Sequence, residues 1–392
     1  MRRTGDLKLM QQLNRSIILN TIRESGPISR SQVAQKIRVS PTTVTSAVGE
    51  LLEQSLVKEV GSGSSNGGRR PVMLAFNPES RFVISVVIDS LELSIGKVNL
   101  AIDVKKKVHH AIPNDGRFLE LLVEKLQLFI DEEEDLKDCE GISVIVQGIV
   151  DSEQGIIQHN NRLDLYDLPL RDILEERFSI KCYVENDTNG LLLAEKYLGK
   201  LQGDSDLLYV AIGDGVGASF FTNGALTRGA NGGAGEFGHT SVNANGLPCK
   251  CGNRGCIENY ISWRAIEARL KEDLAKEKLV YSSQDSVKPE VFCERLRKGE
   301  PVAAAIYKDV LEYSTVGIVN LVNIYNPSFV HLGGSLPYLL PEFVKELSEK
   351  VKQRSLSSLS NNLVIQGASF GPDAGIKGAA TVLLHDFFEF SL

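Results

Sequence analysis

Apolar residues recur at helical spacing three times in the first 54 positions. They are Ile17, Ile18, Leu19 and Ile22 within 14–24, Val33, Ala34 and Ile37 within 30–37, and Val44, Val48, Leu51 and Leu52 from Pro41 to about Gln54. Ser25-Gly26-Pro27 stops the first run, Ser29 suits the N-cap of the second, and the short Arg38-Val39-Ser40 connection leads into the third. This spacing predicts a helix-turn-helix, with the hydroxyls of Ser40, Thr42, Thr43, Thr45 and Ser46 at the start of the third helix left for groove and phosphate contacts. Two further apolar stretches, 56–60 and 71–76, are joined by a Gly/Ser-rich segment that ends in Arg69-Arg70. They read as a β-hairpin wing whose arginines can reach phosphates or a narrow minor groove. From Arg81 the pattern alternates between strand and helix: β-rich runs at 82–89, 93–100 and 141–146, and an amphipathic helix at 118–130. A second set starts with 207–212 and opens into Gly213-Asp214-Gly215-Val216-Gly217. The expected architecture is α/β, in two similar lobes with a cleft between them.

The length of 392 residues fits two or three domains. We place a winged helix-turn-helix at 1–77, a first lobe at 81–198 completed by a C-terminal helix at 375–392, and a second lobe at 199–374. The net charge of −7 is uneven: residues 1–80 hold 11 Lys/Arg against 6 Asp/Glu, which leaves the remainder at −12. A basic head on an acidic body implies a polyanion partner for the head alone, namely double-stranded DNA. No run of eighteen apolar residues exists to span a membrane. The Lys105-Lys106-Lys107 and 131–135 charge runs read as solvated surface. A trihelical protein-interaction module is the alternative for the head.

Three of the six cysteines crowd together: Cys249, Cys251 and Cys256, with His239 ten residues before the first. Glycines in the loop let three sulfurs converge, and a Cys₃His set fills the tetrahedral coordination of zinc with no position left for water, so the site is structural. Three is an odd number for disulfides, and a polar, basic N-terminus without an apolar leader points to a reducing cytoplasm. Cys139, Cys182 and Cys293 fall in apolar segments and read as buried. Glu236 and Glu258 flank the cluster, close enough for a metal to hold both in place.

Glu185-Asn186-Asp187, Gly213 to Gly217, Gly233-Ala234-Gly235-Glu236-Phe237-Gly238-His239, the cysteine loop with Glu258, and Leu332-Gly333-Gly334 together resemble the ROK family of repressors, open reading frames and sugar kinases. The head and its Gly67-Gly68-Arg69-Arg70-Pro71 wing are similar to that family's transcriptional-regulator branch, xylose-repressor-like proteins included. The resemblance implies an actin-like, ribonuclease-H-like body. It also implies a sugar set of Asn186, Asp187, Glu236, His239 and Glu258, with His239 ligating zinc through one ring nitrogen and facing the sugar with the other. Without it, Asp187 also suits an N-cap, and Glu236 and Glu258 suit surface acids.

In the family's kinases the residue matching Asp187 is the general base, and two glycine-containing loops hold ATP phosphates. Here Asp89 is followed by Ser90-Leu91-Glu92 instead of Gly-Gly-Thr, Asp214 stands where threonine is usual, and Gln147-Gly148 replaces a Pro-Gly pair. Side chains in the first loop hinder close backbone approach to phosphate. A carboxylate about 4 Å from a phosphate is repelled by roughly 4 kcal/mol at an effective dielectric of 20. The expectation is a non-enzymatic, sugar-responsive repressor that binds a palindromic operator as a homodimer or tetramer and is released by sugar in the interlobe cleft. An ATP-dependent sugar kinase with a DNA-binding appendage and a repressor controlled by a protein partner are the alternatives.

Overall fold

The structure is a computed structural model and describes residues 7–63, 70–89, 92–113, 115–199, 206–276 and 287–388. Arg69 of the wing, and Ser90 and Leu91 of the first loop, lie outside the described residues. By contacts the chain divides into two compact units. One comprises Met1–Val144, Arg171–Tyr183 and Ala379–Leu392, the other Ile145–Leu170 and Val184–Gly378.

The head belongs to the first unit. Helices α1 (Leu7–Ser25), α2 (Arg30–Ile37) and α3 (Pro41–Glu53) pack on an antiparallel sheet of β1 (Ile28–Ser29), β2 (Val57–Ser62) and β3 (Val72–Phe76), ordered β1-β3-β2. Ile18, Ile22, Val33, Val44, Val48, Leu51 and Leu74 are fully buried at its centre. Ile17 points outward, and Ala47 is buried where Leu52 is only partly covered. A capping box opens α2: Ser29 Oγ accepts from Gln32 N, and Gln32 Oε1 accepts from Ser29 N. Ser40 caps α3, its Oγ accepting from Thr43 N at 3.1 Å ahead of Pro41. The hydroxyls there are not all free, contrary to expectation. Thr43 Oγ1 lies 2.8 Å from Ser40 Oγ, and Thr45 Oγ1 donates to Pro41 O at 2.8 Å, because short hydroxyl side chains satisfy helix ends first. Thr42, Thr45, Ser46 and Arg70 are exposed.

Two five-stranded sheets form the body. The first has the order β11-β7-β4-β5-β6, from β4 (Phe82–Ile88), β5 (Glu92–Asn99), β6 (Val104–Ala111), β7 (Cys139–Val146) and β11 (Cys182–Asn186). The second has the order β14-β13-β12-β15-β16, from β12 (Leu207–Ile212), β13 (Val216–Thr222), β14 (Ala225–Leu226), β15 (Phe329–Gly333) and β16 (Val364–Gly367). Their plan is the same: a buried central strand, an antiparallel meander on one side and two later strands on the other. In each, the tight hairpin after the central strand is a loop singled out by sequence. It is closed by Asp89 N to Glu92 O in the first and Gly213 N to Gly215 O in the second, both at 3.0 Å. A small antiparallel sheet of β8 (Ile149–Asp151), β9 (Ile156–Asn160) and β10 (Leu165–Leu168) belongs to the second unit. Helices α4 (Phe118–Asp131), α5 (Leu170–Phe178) and α6 (Asp187–Leu198) complete the elements used below.

The charge runs are not simply solvated. Lys105 to Lys107 lie on β6, Lys106 pairs with Glu132 at 2.6 Å, and Lys97 pairs with Glu133, whose side chain is 6% exposed. Such lysines blunt an edge strand. Among the described residues no helix is long and apolar enough to cross a membrane.

The helix Ala374–Phe388 ends against the head. Phe388 O accepts from Ser16 Oγ (2.8 Å) and Asn20 Nδ2 (2.9 Å), and its ring meets Phe76 edge-on at 6.0 Å and the Arg23 guanidinium at 4.0 Å. Phe388 is 5% exposed, so Phe388→Ala removes a buried ring and should cost about 3 kcal/mol. A lowered urea midpoint for the transition that includes the head is the expected readout.

Candidate effector and metal site

Every body residue singled out for sugar or metal lies in the second unit. Asn186 ends β11 and caps α6. Its Oδ1 accepts from Asn189 N (3.2 Å) and Thr188 Oγ1 (2.6 Å), and its Nδ2 donates to Gly148 O (2.9 Å). The cap is therefore Asn186 and not Asp187, and much of Asn186's bonding capacity serves the fold. Asp187, half-buried in the first helical position, accepts from Thr188 N through Oδ1 at 2.8 Å, where the helix dipole favours a carboxylate.

Behind this junction Glu185 is buried, accepting from Asn186 N (2.8 Å) and Asn189 Nδ2 (2.9 Å). Arg228 meets its Oε2 with Nε at 2.9 Å and a terminal guanidinium nitrogen at 2.8 Å. Sequence reasoning missed Arg228. The available signal was Glu185 itself, since a carboxylate ending an apolar strand needs a buried partner. Arg228 also opens the glycine-rich loop to Glu236, whose path forces two glycines. Gly232 (φ 78) and Gly235 (φ 96) run so close to β8 and β13 that a Cβ would lie 2.0 Å from Val150 O and Ala218 O respectively.

Glu236, His239 and Glu258 are brought together. Glu236 Oε2 lies 4.0 Å from His239 Nε2. Loss of water around the carboxylate pushes Glu236 above the usual carboxyl range, His239 opposes that shift and the Glu258 charge reinforces it. Glu258 Oε2 accepts from Val216 N at 3.1 Å, and a Cβ on Gly215 or Gly238 would stand 3.4 or 3.2 Å from that same oxygen. The α6 start that carries Asn186 and Asp187 packs on β13, where the Thr188 methyl would lie 3.0 Å from a Cβ on Gly217.

The other ring nitrogen of His239 faces the cysteines. Cys249 Sγ is 3.7 Å from His239 Nδ1, Cys251 Sγ is 3.7 Å from Cys256 Sγ, and one donor atom from each of the four residues falls within 4.8 Å of the others. Zinc bonds of about 2.3 Å to sulfur and about 2.1 Å to nitrogen give tetrahedral edges of about 3.6–3.8 Å, so the donors fit a metal ion. The loop is held by Cys249 N to Asn253 O (2.8 Å), Val242 N to Gly255 O (2.9 Å) and Asn253 Nδ2 to His239 O (3.2 Å). Burial, with help from Cys249 and Cys251, pushes the Cys256 thiol up to about 12, a cost that a bound cation reverses.

Two apolar anchors fix these parts. Phe237 follows Glu236, Ile257 precedes Glu258, and both are buried against the helix Pro301–Tyr325 at Gly317. A Cβ on Gly317 would lie 2.4 Å from Ile257 Cδ1 and 2.6 Å from Phe237 Cζ. In the hairpin after β12, Val216 N–H is given to Glu258 and Gly213 N–H to Gly215 O, while Asp214 has an Arg162 guanidinium nitrogen at 3.9 Å. That cation tempers the bare repulsion expected from Asp214.

Residues 89–386 match the ROK family model. The chain belongs to the ROK family. Residues 14–58 match a winged helix-turn-helix DNA-binding model. Over 98% of its length the chain is 30% identical to the xylose repressor of Caldicellulosiruptor bescii, covering 99% of that protein. It is also 30% identical to the DNA-binding transcriptional dual regulator NagC of Escherichia coli K12, over 96% of this chain and 94% of that one. Among solved structures, a ROK family transcriptional regulator described as a homologue of the E. coli MLC protein superposes with a TM-score of 0.82 at 23% identity, covering 97% of both chains. A ROK family glucokinase from Streptomyces griseus, in complex with glucose and AMPPNP, superposes at 0.64 with 25% identity over 77% of this chain and 98% of that one. The fold is thus the two-lobed ROK body preceded by a winged helix-turn-helix.

Gly317→Ala is expected to force Phe237 and Ile257 apart, at a cost of about 1–3 kcal/mol. A lower thermal midpoint accompanied by reduced metal content is the expected result by calorimetry and elemental analysis.

Proposed function

We propose that this protein is a sugar-responsive, DNA-binding transcriptional repressor of carbohydrate uptake or catabolic genes. The observation that carries this reading is the presence in one chain of a capped helix-turn-helix with a wing and of a converging carboxylate and imidazole set. A sugar presents hydroxyls that each donate and accept, so rigid carboxylates and an imidazole suit it. Asp187, Glu236, His239 and Glu258 are the assigned contacts, with Asn186 adding its amide. DNA contacts are assigned to Ser40, Thr42, Thr43, Thr45, Ser46, Arg69 and Arg70, of which the exposed Thr42, Ser46 and Arg70 supply the free reach. The names of the relatives, repressors of xylose and N-acetylglucosamine genes among them, support a monosaccharide or a close derivative as effector.

Zinc is the metal that the Cys₃His set favours, held by Cys249, Cys251, Cys256 and His239 Nδ1. When bound it supplies closed tetrahedral coordination and no reactive water. His239 then keeps Nε2 for Glu236 and the sugar, its tautomer fixed by the ligated Nδ1. The protein binds a palindromic operator as a homodimer or tetramer, and the effector favours a state in which two heads no longer match half-sites about one helical turn, or a multiple of it, apart.

A kinase reading has Asp187 in its favour and the loops against it. Two N–H groups of the Gly213–Gly217 hairpin are already bonded within the protein, Asp214 brings a carboxylate, and the first loop carries Glu92. A phosphate needs those N–H groups.

Operator DNA recovered by affinity selection from genomic fragments provides the test. Titrated with a panel of monosaccharides and their phosphates, the protein should lose at least 10-fold in DNA affinity with one of them. Glu258→Gln should keep DNA affinity and lose that response. Affinity unchanged across the whole panel would sink the reading. With ATP, Mg²⁺ and hexoses or pentoses, no turnover above a buffer control is expected.

A further inference from the structure

The four metal donors differ in access to solvent. Cys256 is fully buried, Cys249 half-buried and Cys251 exposed. Cys251 Sγ is 3.7 Å from Cys256 Sγ, and a disulfide needs about 2.05 Å, so an approach of less than 2 Å joins them. The segment between them contains Gly252 (φ 92) and Gly255 (φ 69), and a Cβ on Gly252 would meet nothing within 4 Å. Gly255, by contrast, is wedged, since a Cβ there would lie 1.8 Å from Asn243 O, so the Cys256 side is anchored and Cys251 is the sulfur with room to move.

We propose that Cys251 and Cys256 form a peroxide-sensitive thiol–disulfide switch built into the metal site. The proposal rests on the zinc reading, because the metal keeps both sulfurs as thiolates, the nucleophilic form. The exposed Cys251 sulfur attacks hydrogen peroxide and breaks its O–O bond, which gives a sulfenic acid and, with one proton, a water. Cys256 sulfur then attacks the sulfenic sulfur, the S–O bond breaks, and the oxygen leaves with a second proton as water. Two thiolates, one peroxide and two protons become one disulfide and two waters. Only Cys249 and His239 would then remain to hold a metal ion, too few donors to retain it.

The consequence reaches the sugar set through the chain itself. Cys256 is two residues from Glu258, and its sulfur contacts His239 O at 3.4 Å. Loss of the metal frees His239 from its fixed tautomer, and the new bond constrains the short segment that leads from Cys256 to Glu258. Oxidation should therefore blunt the effector response. The remaining cysteines are poor competitors: burial pushes Cys139 and Cys293 up to about 11 and Cys182 up to about 12, well into the thiol form.

The test uses the purified full-length protein treated with graded hydrogen peroxide. Metal release is followed with a chromogenic chelator and disulfides are mapped by peptide mass spectrometry. One zinc released per Cys251–Cys256 disulfide is expected, with Cys139, Cys182 and Cys293 still reduced and reversal by dithiothreitol plus zinc. Cys251→Asp keeps a metal ligand and should retain zinc under peroxide doses that strip the wild type. Retention of zinc by the wild type, oxidation of the buried cysteines first, or equal peroxide sensitivity of Cys251→Asp would each overturn the switch. A protein purified without zinc would instead overturn the metal assignment, and the disulfide map would still report whether the two sulfurs pair.

Discussion

The contact of Phe237 and Ile257 with the bare backbone of Gly317 is the constraint on which the rest of the site depends. Each anchor is covalently next to a carboxylate of the site, so burying the apolar pair fixes the backbone that carries Glu236 and Glu258. Between the anchors run the metal loop and His239. The apolar core thus sets the position of the polar groups, and Val216 N–H orients Glu258.

A second constraint acts from the other side. Arg228 and Glu185 tie the start of the glycine-rich loop to the β11–α6 junction through one ion pair, in which Glu185 is buried and Arg228 reaches in from a partly exposed position. A partner removed from such a pair leaves an uncompensated charge, which explains a network of hydrogen bonds from Asn186 and Asn189 around Glu185. In the hairpin after β12, two N–H groups are bonded within the protein, Val216 N to Glu258 and Gly213 N to Gly215 O.

Much of this was legible in the chain. The helix periodicity of the head, the capping Ser29, the strand-helix alternation and the Cys₃His cluster can all be read from local rules. The duplicated sheet plan was visible only as a second strand-helix set after residue 207, because strand order is decided by long-range pairing. Arg228, Gly317 and Arg162 were not legible as site residues, since each matters through a neighbour far away in sequence. Thr43 and Thr45 show the opposite error: hydroxyls that look available in sequence are taken by the helix they start. Lys106 and Glu132, read as solvated, do lie at the surface, where they pair across 26 positions.

The central claim is that a metal braces a sugar-recognition set without taking part in chemistry. Calorimetric titration of one sample with its effector sugar, before and after chelation of the metal and again after zinc is restored, tests it most directly. The account predicts that affinity falls at least 10-fold on chelation and returns with zinc, while the head keeps its affinity for operator DNA. Unchanged sugar affinity in the metal-free protein would contradict it.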